Sequence, residues 1–354
     1  MEERLRLVTR NVEEVVKLEE LEAILRSGKR PKAYWGFEPS GLIHLGTGLV
    51  TGSKIRDLVE AGFDFIIFLA DWHAWINNKL GGDIEKIRLV GEYFKHGFTA
   101  LGLPPDKVHY IWSSELTSDQ RYWEIVVKVA KSVTLTRIRR ALPIMGRSLK
   151  EEDVEAAWLM YPCMQVADIF YMGLDVACGG IDQRKAHMLA RDVADKLGFN
   201  KPICIHTPLL MGLEGPSGAG GFDEDVEVDR TIASKMSKSS PERCIFIHDE
   251  PEEIRRKLMK AYCPPKSTKD NPVLEIVRLV VIPWRGKVDV KTKRGISTFN
   301  SYSELAEAYS KGDVHPLDLK EAVVEALIDI LKPVRDYFKG RKVLDAVKEL
   351  EIGR

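Results

Sequence analysis

The stretch that decides the fold reads YPCMQVADIFYMGLDVACGGIDQRKAHMLAR and covers residues 161–191. Its first half is typical of a helix, because Pro162 is tolerated in an opening turn. At about 100° per residue, Tyr161, Gln165 and Asp168 fall within roughly 60° of one another on that helix. The other residues from 162 to 170 are apolar or small. The helix is therefore predicted to carry one polar stripe on an apolar body.

The polar stripe has two interpretations. A buried Asp168 needs a partner, because burying an unpaired charge costs several kcal/mol. Either neighbouring side chains supply that partner, as in a core hydrogen-bond network, or a bound ligand does. A solvated stripe usually carries Lys, Glu or Arg, whereas this one carries a phenol, an amide and a carboxylate. We favour a small polar pocket whose ligand supplies the partners.

The second half of the stretch predicts a short buried strand at 174–177 and a tight turn at Gly179-Gly180 that leads into a helix. Two glycines let a ligand approach the backbone closely, and a helix N-terminus favours phosphate or hydroxyl groups. Two of the three glutamines in the chain, Gln165 and Gln183, lie in this stretch. A ligand pocket is expected here.

Strands and helices alternate along the first half of the chain. Further strands are predicted at 32–37, 65–70, 108–112 and 203–209, and the continuous apolar run at 65–70 is typical of a parallel strand buried on both faces. Alternation of this kind predicts an α/β fold with a Rossmann-like, doubly wound parallel sheet. We expect this domain to span 1–244, with a helical insertion at about 115–160, and an all-α domain to follow at 245–354.

Length and composition agree with two domains. The chain has 354 residues, 44% of them apolar, and no apolar run long enough to cross a membrane. Its charged N-terminus does not resemble a signal peptide, and its five cysteines form no CxxC pair. We expect reduced thiols, a cytoplasmic location, no membrane contact and no metal site built by the protein.

The formal net charge is zero, so nucleic-acid binding would depend on local basic patches. Two such patches occur, at 128–147 and 285–294. The first is either one solvated helix face or a contact to a phosphate backbone. The segment 284–298 is expected to be irregular, and the acidic segment 214–231 is expected to be a mobile surface loop.

Two short motifs flank the predicted sheet. The first, PSGLIHLGT at 39–47, lies at a strand-to-helix turn where Gly46 permits close approach and His44 can donate to a phosphate oxygen. The second, KMSKS at 235–239, places Lys235 and Lys238 where they suit a departing pyrophosphate. Either motif alone is weak, but the two together in this order are specific.

The two motifs resemble the HIGH and KMSKS signatures of the class I aminoacyl-tRNA synthetases. Further segments resemble the tyrosyl-tRNA synthetases of the archaeal and eukaryotic type, and the resemblance as a whole extends over nearly the whole chain. These segments are YWGFEPSGLIHLG (34–46), LADWHAW (69–75), YPCMQVADIFY (161–171), GGIDQRKAHMLAR (179–191) and VHPLDLK (314–320). The resemblance implies a ligase that activates L-tyrosine with ATP and Mg²⁺, then transfers it to the 3′ end of tRNA(Tyr). It also implies a homodimer through the insertion, where Trp123, Val126 and Val127 would be buried, and a C-terminal domain that binds the anticodon.

The resemblance assigns a role to individual residues of this chain. The tyrosine hydroxyl would be bound by Tyr34 and Asp168, and the α-amino end by Tyr161, Gln165 and Gln183, with Asp71 nearby. The ATP site would comprise Gly36, His44, Gly46, Gly180, Asp182 and Lys238. The catalytic set would be His44, Gly46, Thr47, Lys235 and Lys238. The tRNA would be contacted by Arg184 at the acceptor end and by His315 and Asp318 at the anticodon.

Two departures from the family pattern stand out. Thr47 replaces the second histidine of the first signature, so we expect an altered phosphate contact. Lys293 or Arg294 stands where an aromatic residue would grip the anticodon.

Two alternatives remain open. The first is a tryptophanyl-tRNA synthetase, which the pairing of Asp168 with Tyr34 opposes because an indole offers one donor and no acceptor. The second is a catalytically silent, synthetase-like RNA-binding protein, which Thr47 favours and which His44, Lys235 and Lys238 oppose.

Overall fold

The computed structural model describes residues 1–147, 154–218, 220–293 and 295–352. A six-stranded sheet in the order β1-β6-β5-β2-β3-β4 forms the centre, and every strand in it except β1 runs parallel to its neighbours. Its strands are β1 Glu14–Val16, β2 Lys32–Phe37, β3 Asp64–Leu69, β4 His109–Trp112, β5 Val176–Gly180 and β6 Ile203–Thr207. The α/β class and the doubly wound parallel sheet are thereby confirmed.

The chain reverses its direction of winding at β2. From β2 it proceeds to β3 and β4 on one side, and it returns through the helical insertion to β5 on the other side. Ligands of doubly wound sheets bind at the carboxyl ends of the strands at such a reversal. The fold therefore places a crevice beyond Phe37 and Gly180, the last residues of β2 and β5.

Helices cover both faces of the sheet and make up most of the C-terminal region. They are α1 Glu2–Thr9, α2 Leu18–Arg26, α3 Thr51–Glu60, α4 Asp71–Ile76, α5 Ile84–Ala100, α6 Ser113–Thr117, α7 Gln120–Ser132, α8 Leu135–Arg139, α9 Tyr161–Tyr171, α10 Arg184–Leu197, α11 Val226–Ser234, α12 Pro251–Lys260, α13 Pro272–Ile276, α14 Ile282–Arg285, α15 Tyr302–Lys311, α16 Pro316–Phe338 and α17 Lys342–Ile352. A π-helical turn at Gly46–Val50 precedes α3, and a short 3-10 turn at Ile181–Gln183 precedes α10.

Several local expectations were wrong. Gly179 and Gly180 end β5 instead of forming a turn after it, and the three-residue strand β1, too short to show a period, was missed. The acidic segment is not a loop throughout, since α11 begins at Val226, and the buried Asp229 accepts from the backbone N–H groups of residues 220–223.

The C-terminal region is helical with one exception. The segment expected to be irregular forms a hairpin of β7 Val288–Thr292 and β8 Gly295–Phe299, so the region is not purely all-α. Along β7, buried Val288 and Val290 alternate with exposed Asp289 and Lys291. That alternation is typical of a half-buried strand. The many charged residues of the segment 284–298 conceal it in the sequence.

The hydrophobic core continues across residue 245, where the domain boundary is predicted. The backbone N–H of Leu45 donates to the Ile245 carbonyl at 2.9 Å, and that of Ile247 donates to the Ile43 carbonyl at 3.0 Å. A Cβ at Gly48 would lie 2.6 Å from Cγ2 of Ile247, so only glycine fits there. The first residues after the predicted boundary thus support the first motif directly.

All five cysteines are free thiols, as expected. Within the described ranges, no helix is both long enough and apolar enough to cross a bilayer.

Candidate active site

A cavity of about 390 Å³ lies at the carboxyl ends of β2, β5 and β6, where the reversal of the sheet predicts a ligand site. It brings together both motifs, which are about 190 residues apart in the chain. Its lining includes Gly36, His44, Gly46, Thr47, Tyr161, Gly180, Asp182, Gln183, Lys235 and Lys238.

His44 is held as a neutral ring in this cavity. The backbone N–H of Gly46 donates to His44 Nδ1 at 3.1 Å, which leaves the ring proton on Nε2. Burial, followed by the charges of Lys238 and Lys235, lowers the His44 pKa to about 3. Thr47 Oγ1 lies 3.2 Å from Nε2, so the threonine that replaces the second histidine touches the first one. His44 and Thr47 can together donate to an anionic oxygen.

The KMSKS segment reaches across the cavity to the other lining residues. The ammonium of Lys238 donates to the hydroxyl of Ser40 in the first motif. The ammonium of Lys235 lies 2.7 Å from a carboxylate oxygen of Asp182, just beyond β5. Two positive charges therefore face the N-terminal end of the π-helical turn, which also favours an anion.

Gly180 allows Asp182 to turn back over the end of β5. A Cβ at position 180 would lie 2.7 Å from Asp182 Oδ1 and 2.6 Å from a side-chain carbon of Leu209. Any larger residue would displace Asp182 from Lys235. Other atoms do approach the Gly180 backbone closely, as predicted for the glycine pair. The atoms nearest to it belong to the side chains of Asp182 and Leu209.

The polar stripe lies on α9 as predicted, and Asp168 is 1% exposed. The hydroxyl of Tyr122 donates to Asp168 Oδ1 at 2.8 Å, and His73 Nε2 lies 3.2 Å from Oδ2. Asp168 therefore has two protein partners, as in a core network, and the expectation that a ligand alone supplies them is wrong. A carboxylate can accept about four hydrogen bonds, so capacity for a ligand hydroxyl remains.

His73 compensates the charge of Asp168. Burial opposes protonation of His73, but the charges of Asp168, Glu38 and Asp71 outweigh it and raise the His73 pKa. Its ring also meets the Tyr161 ring edge-on, with centroids 4.9 Å apart. The buried carboxylate of Asp168 thus favours the protonated form of His73, which lies beside it in the same pocket.

Tyr34, Gln165 and Gln183 lie around the same pocket. Burial and then the charge of Asp168 raise the Tyr34 pKa well above its usual value, so its hydroxyl stays protonated. The amide of Gln165 donates to Gln183 Oε1 at 3.2 Å. Gln165 Oε1 is buried and has no hydrogen-bond partner among the described residues, which marks it as an acceptor for a ligand cation or N–H group.

Glu38, which directly follows β2, is a site residue that the sequence pattern does not predict. It accepts from the Tyr161 hydroxyl at 2.6 Å and from the Asn77 amide at 3.0 Å. Tyr122, His73 and Ser40 were also missed. A carboxylate just beyond a central parallel strand is a usable signal for Glu38, but nothing in the sequence connects Tyr122 with Asp168, 46 residues away.

Asp71 does not line the cavity that contains the two motifs, and neither do Tyr34, Gln165 and Asp168. Asp71 is fully buried at the start of α4, where its Oδ1 accepts from the Ser113 hydroxyl at 2.7 Å and the Ser114 N–H at 2.9 Å. Arg88 Nε lies 3.5 Å from Oδ2, which has no hydrogen-bond partner among the described residues. These contacts tie α4 to the start of α6, and a ligand contact of Asp71 stays a prediction.

The residues assigned to tRNA lie outside the cavity lining. Arg184 begins α10 and pairs with Glu14 at 2.6 Å. His315 is exposed and caps α16 by accepting from the Leu317 N–H at 3.2 Å, and Asp318 lies in the first turn of that helix. Lys293 is exposed near the tip of the hairpin, whereas Arg294 lies outside the described residues.

Known proteins are similar to this chain in sequence and in fold. The family model of the class I tRNA synthetases (W and Y) matches residues 26–332. A tyrosine–tRNA ligase of Aeropyrum pernix is 48% identical, over 98% of this chain and 97% of that protein. The crystal structure of Pyrococcus horikoshii tyrosyl-tRNA synthetase complexed with L-tyrosine has a TM-score of 0.91 at 42% identity, covering 98% of this chain and 99% of that chain. A tryptophanyl-tRNA synthetase from Aeropyrum pernix has a TM-score of 0.69 at 22% identity, covering 94% of this chain and 84% of that chain, which is a likeness of fold alone.

Proposed function

The chain belongs to the class I tRNA synthetases of the tryptophanyl and tyrosyl family, and we propose that it ligates L-tyrosine to tRNA(Tyr) with ATP as the energy source. Asp168 is the observation that carries this choice of amino acid. It is a buried carboxylate with remaining acceptor capacity beside the protonated hydroxyl of Tyr34. A phenol both donates and accepts, so it satisfies this pair, whereas an indole N–H can only donate.

The amino-acid head fits the other end of the pocket. The unpartnered Gln165 Oε1 and the Glu38–Tyr161 pair offer acceptors for an ammonium group. Gln183, held by Gln165 and by the Ile144 carbonyl, lies between this end and the cavity with the two motifs. The tyrosine carboxylate would then face that cavity.

Adenylation needs positioning and charge, without a covalent protein intermediate. The tyrosine carboxylate attacks the ATP α-phosphorus in line, the bond to the bridging oxygen breaks, and pyrophosphate leaves. His44 and Thr47 donate to phosphate oxygens, Asp182 binds the ribose, and Lys235 and Lys238 neutralise the leaving group. To bind phosphate, Lys235 must leave its present partner Asp182, and Lys238 must leave its present partner Ser40. A terminal ribose hydroxyl of tRNA then attacks the acyl carbon of the tyrosyl-adenylate and loses its proton, the bond from that carbon to the phosphate oxygen breaks, and AMP leaves.

Mg²⁺ would accompany ATP. The described residues contain no cluster of three or more His, Cys, Asp or Glu side chains suited to a metal. The triphosphate oxygens would therefore supply most of its ligands, as is common for Mg²⁺. Bound there, the ion would neutralise phosphate charge together with the two lysines.

Tyrosine-dependent exchange of pyrophosphate into ATP tests this function. We expect exchange with tyrosine, and little with tryptophan or phenylalanine. Preferential exchange with tryptophan would favour the tryptophanyl alternative. Absence of exchange together with intact tRNA binding would favour the silent RNA-binding alternative.

Dimerisation is proposed through Val127 of the predicted set together with other exposed apolar side chains. Val126 is 3% exposed and packs inside the chain, so its assignment to a dimer interface is wrong, and Trp123 packs against Trp72. The large exposed apolar side chains of this region are Trp75, Val127, Leu135 and Met160. We propose that a second copy covers them in a cytoplasmic homodimer.

RNA contacts are proposed at the hairpin and at the start of α16. Lys291 and Lys293 are exposed on the hairpin, whereas Arg147 of the first basic patch is not free for RNA because it bonds Asn77 and stacks on Trp158. Neutralising Lys291 and Lys293 with glutamine is expected to weaken tRNA binding for any anticodon and to flatten its salt dependence. Asp318→Ala is expected to reduce the preference for the cognate anticodon while preserving the salt slope.

Binding of cognate and anticodon-altered tRNA over a range of salt concentrations measures both effects. Lys311→Gln with Lys339→Gln gives the same change in net charge elsewhere in the C-terminal region. All variants should retain tyrosine-dependent exchange. If Asp318→Ala changes the salt dependence of tRNA binding as much as the hairpin variant does, the hairpin and Asp318 do not have separate roles in phosphate contact and anticodon recognition.

A further inference from the structure

Four polar side chains form a row of close contacts next to the tyrosine pocket, and the adenylation chemistry proposed above uses none of them. His187 and His206 are 1% and 0% exposed, and their Nδ1 and Nε2 atoms lie 2.9 Å apart. His206 Nδ1 lies 2.8 Å from Glu14 Oε1, and Arg184 Nε lies 2.6 Å from the same oxygen.

The hydrogen bonds along this row hold Glu14 in place. The hydrogen bond from His206, and then that from Arg184, outweigh burial and lower the Glu14 pKa, so Glu14 is an acceptor only. His206 Nδ1 therefore donates to Glu14, and its Nε2 lies in hydrogen-bond contact with His187 Nδ1. Burial and then the charge of His206 hold the His187 pKa well below its usual value. Both rings are buried, so each group restricts the orientation of the next.

The two ends of the row lie at different functional surfaces. A Cβ at Gly179 would lie 3.2 Å from His187 Cε1 and 2.9 Å from Gln183 Cβ, so the inner end packs against the wall of the tyrosine pocket. The outer end is Arg184, whose side chain is 48% exposed and which follows Gln183 directly. Arg184 is the residue proposed to meet the acceptor end of the tRNA.

Strand β1 brings Glu14 next to His206 and Arg184. It pairs antiparallel with β6 so that Glu14 lies opposite His206. A solvent-exposed arginine loses much rotamer freedom when it binds RNA, and a partner that orders it beforehand reduces that loss. A carboxylate held on one side by a buried histidine can order the arginine without moving itself.

We propose that Glu14, held by His206 and His187, is a positioning residue that fixes Arg184 for contact with the acceptor end of the tRNA. The inference rests on the proposed function, because it requires that the chain aminoacylates tRNA. It adds that the N-terminal strand takes part in transfer to tRNA and not in amino-acid activation.

Glu14→Gln tests the proposal, since it preserves size and an acceptor oxygen but removes the charge that holds Arg184. We expect the KM for tRNA in aminoacylation to rise about tenfold, in the range of a lost charged hydrogen bond. Discrimination between tRNAs that differ in the first acceptor base pair should fall with it. Tyrosine-dependent pyrophosphate exchange should stay within about twofold of the unaltered protein. In a protein that already carries Arg184→Ala, Glu14→Gln should have no further effect on the KM for tRNA. The double variant should therefore be no worse than Arg184→Ala alone.

Glu20→Gln is a matched control. Glu20 also lies in the N-terminal segment and pairs with Arg191 on the same helix α10, with both N···O distances at 2.8 Å. If these pairs only anchor the N-terminus, both variants should behave alike, and that result would overturn the proposal. An effect of Glu14→Gln that persists in the Arg184→Ala background would also overturn it. Failure of the unaltered protein to exchange pyrophosphate with tyrosine would instead refute the proposed function.

Discussion

Replacement of Lys238 with alanine is expected to slow tyrosine-dependent pyrophosphate exchange by about 100- to 1000-fold, the usual effect of removing one donor from a preorganised anion site. Lys238 crosses the cavity to Ser40 of the first motif, so it closes the space above His44 where a triphosphate would lie. Its charge matters most when pyrophosphate departs, because negative charge then accumulates on the leaving group. The loss should therefore appear in the rate of adenylation.

Lys235→Ala should show the same pattern. Its ammonium is paired with Asp182 at 2.7 Å, so the substitution also leaves that carboxylate without its cation. Equilibrium binding of tyrosine in the absence of ATP should hardly change in either variant, because Asp168 and the glutamines, which we propose bind tyrosine, would do so independently of this segment. A loss of tyrosine binding as large as the loss of rate would show that the segment supports the pocket structurally.

The parts of this fold that sequence predicts well are those with a strong local pattern. Strand β2 was predicted at residues 32–37 and found there, because an apolar run bounded by turn residues has few alternatives. The hairpin at 288–299 and the strand β1 were missed for opposite reasons. In the hairpin, the many charged residues obscure the alternation of buried and exposed side chains. Strand β1 has only three residues and is stabilised by its pairing with β6.

The site shows a similar division. Residues in the two motifs could be placed together from the topology of a doubly wound sheet, because the ends of β2 and β5 must be adjacent. The partners of Asp168 could not, since Tyr122 comes from the helical insertion and His73 from helix α4, which follows β3. Sequence periodicity shows that a polar stripe is buried, but the packing of separate helices decides what the stripe meets. For Asp71, the hydrogen bonds to Ser113 and Ser114 engage only one carboxylate oxygen, and the family assignment stays a prediction.

Replacement of Asp168 with alanine is expected to reduce the preference for tyrosine over phenylalanine by at least about 2 kcal/mol, or roughly 30-fold, because the acceptor for the substrate hydroxyl is lost. Phenylalanine leaves the acceptor unpaired in a buried pocket, and this unfavourable term disappears when the carboxylate is removed. The preference should therefore fall partly through better use of phenylalanine. The ratio of kcat/KM for the two amino acids in pyrophosphate exchange measures it.

The structure makes a graded version of this experiment possible. Asp168→Ala also leaves His73 and Tyr122 without their partner, so thermal unfolding must accompany the kinetics, and Asp168→Asn keeps the volume and one acceptor oxygen. Tyr122→Phe removes only the hydroxyl that orients Asp168 Oδ1 at 2.8 Å, and its effect on the ratio should be about 1 kcal/mol. The expected order of selectivity is the unaltered protein, Tyr122→Phe, then Asp168→Ala. If Asp168→Ala leaves the ratio unchanged while the protein remains folded, Asp168 serves only the network with His73 and Tyr122, and the substrate hydroxyl is recognised elsewhere.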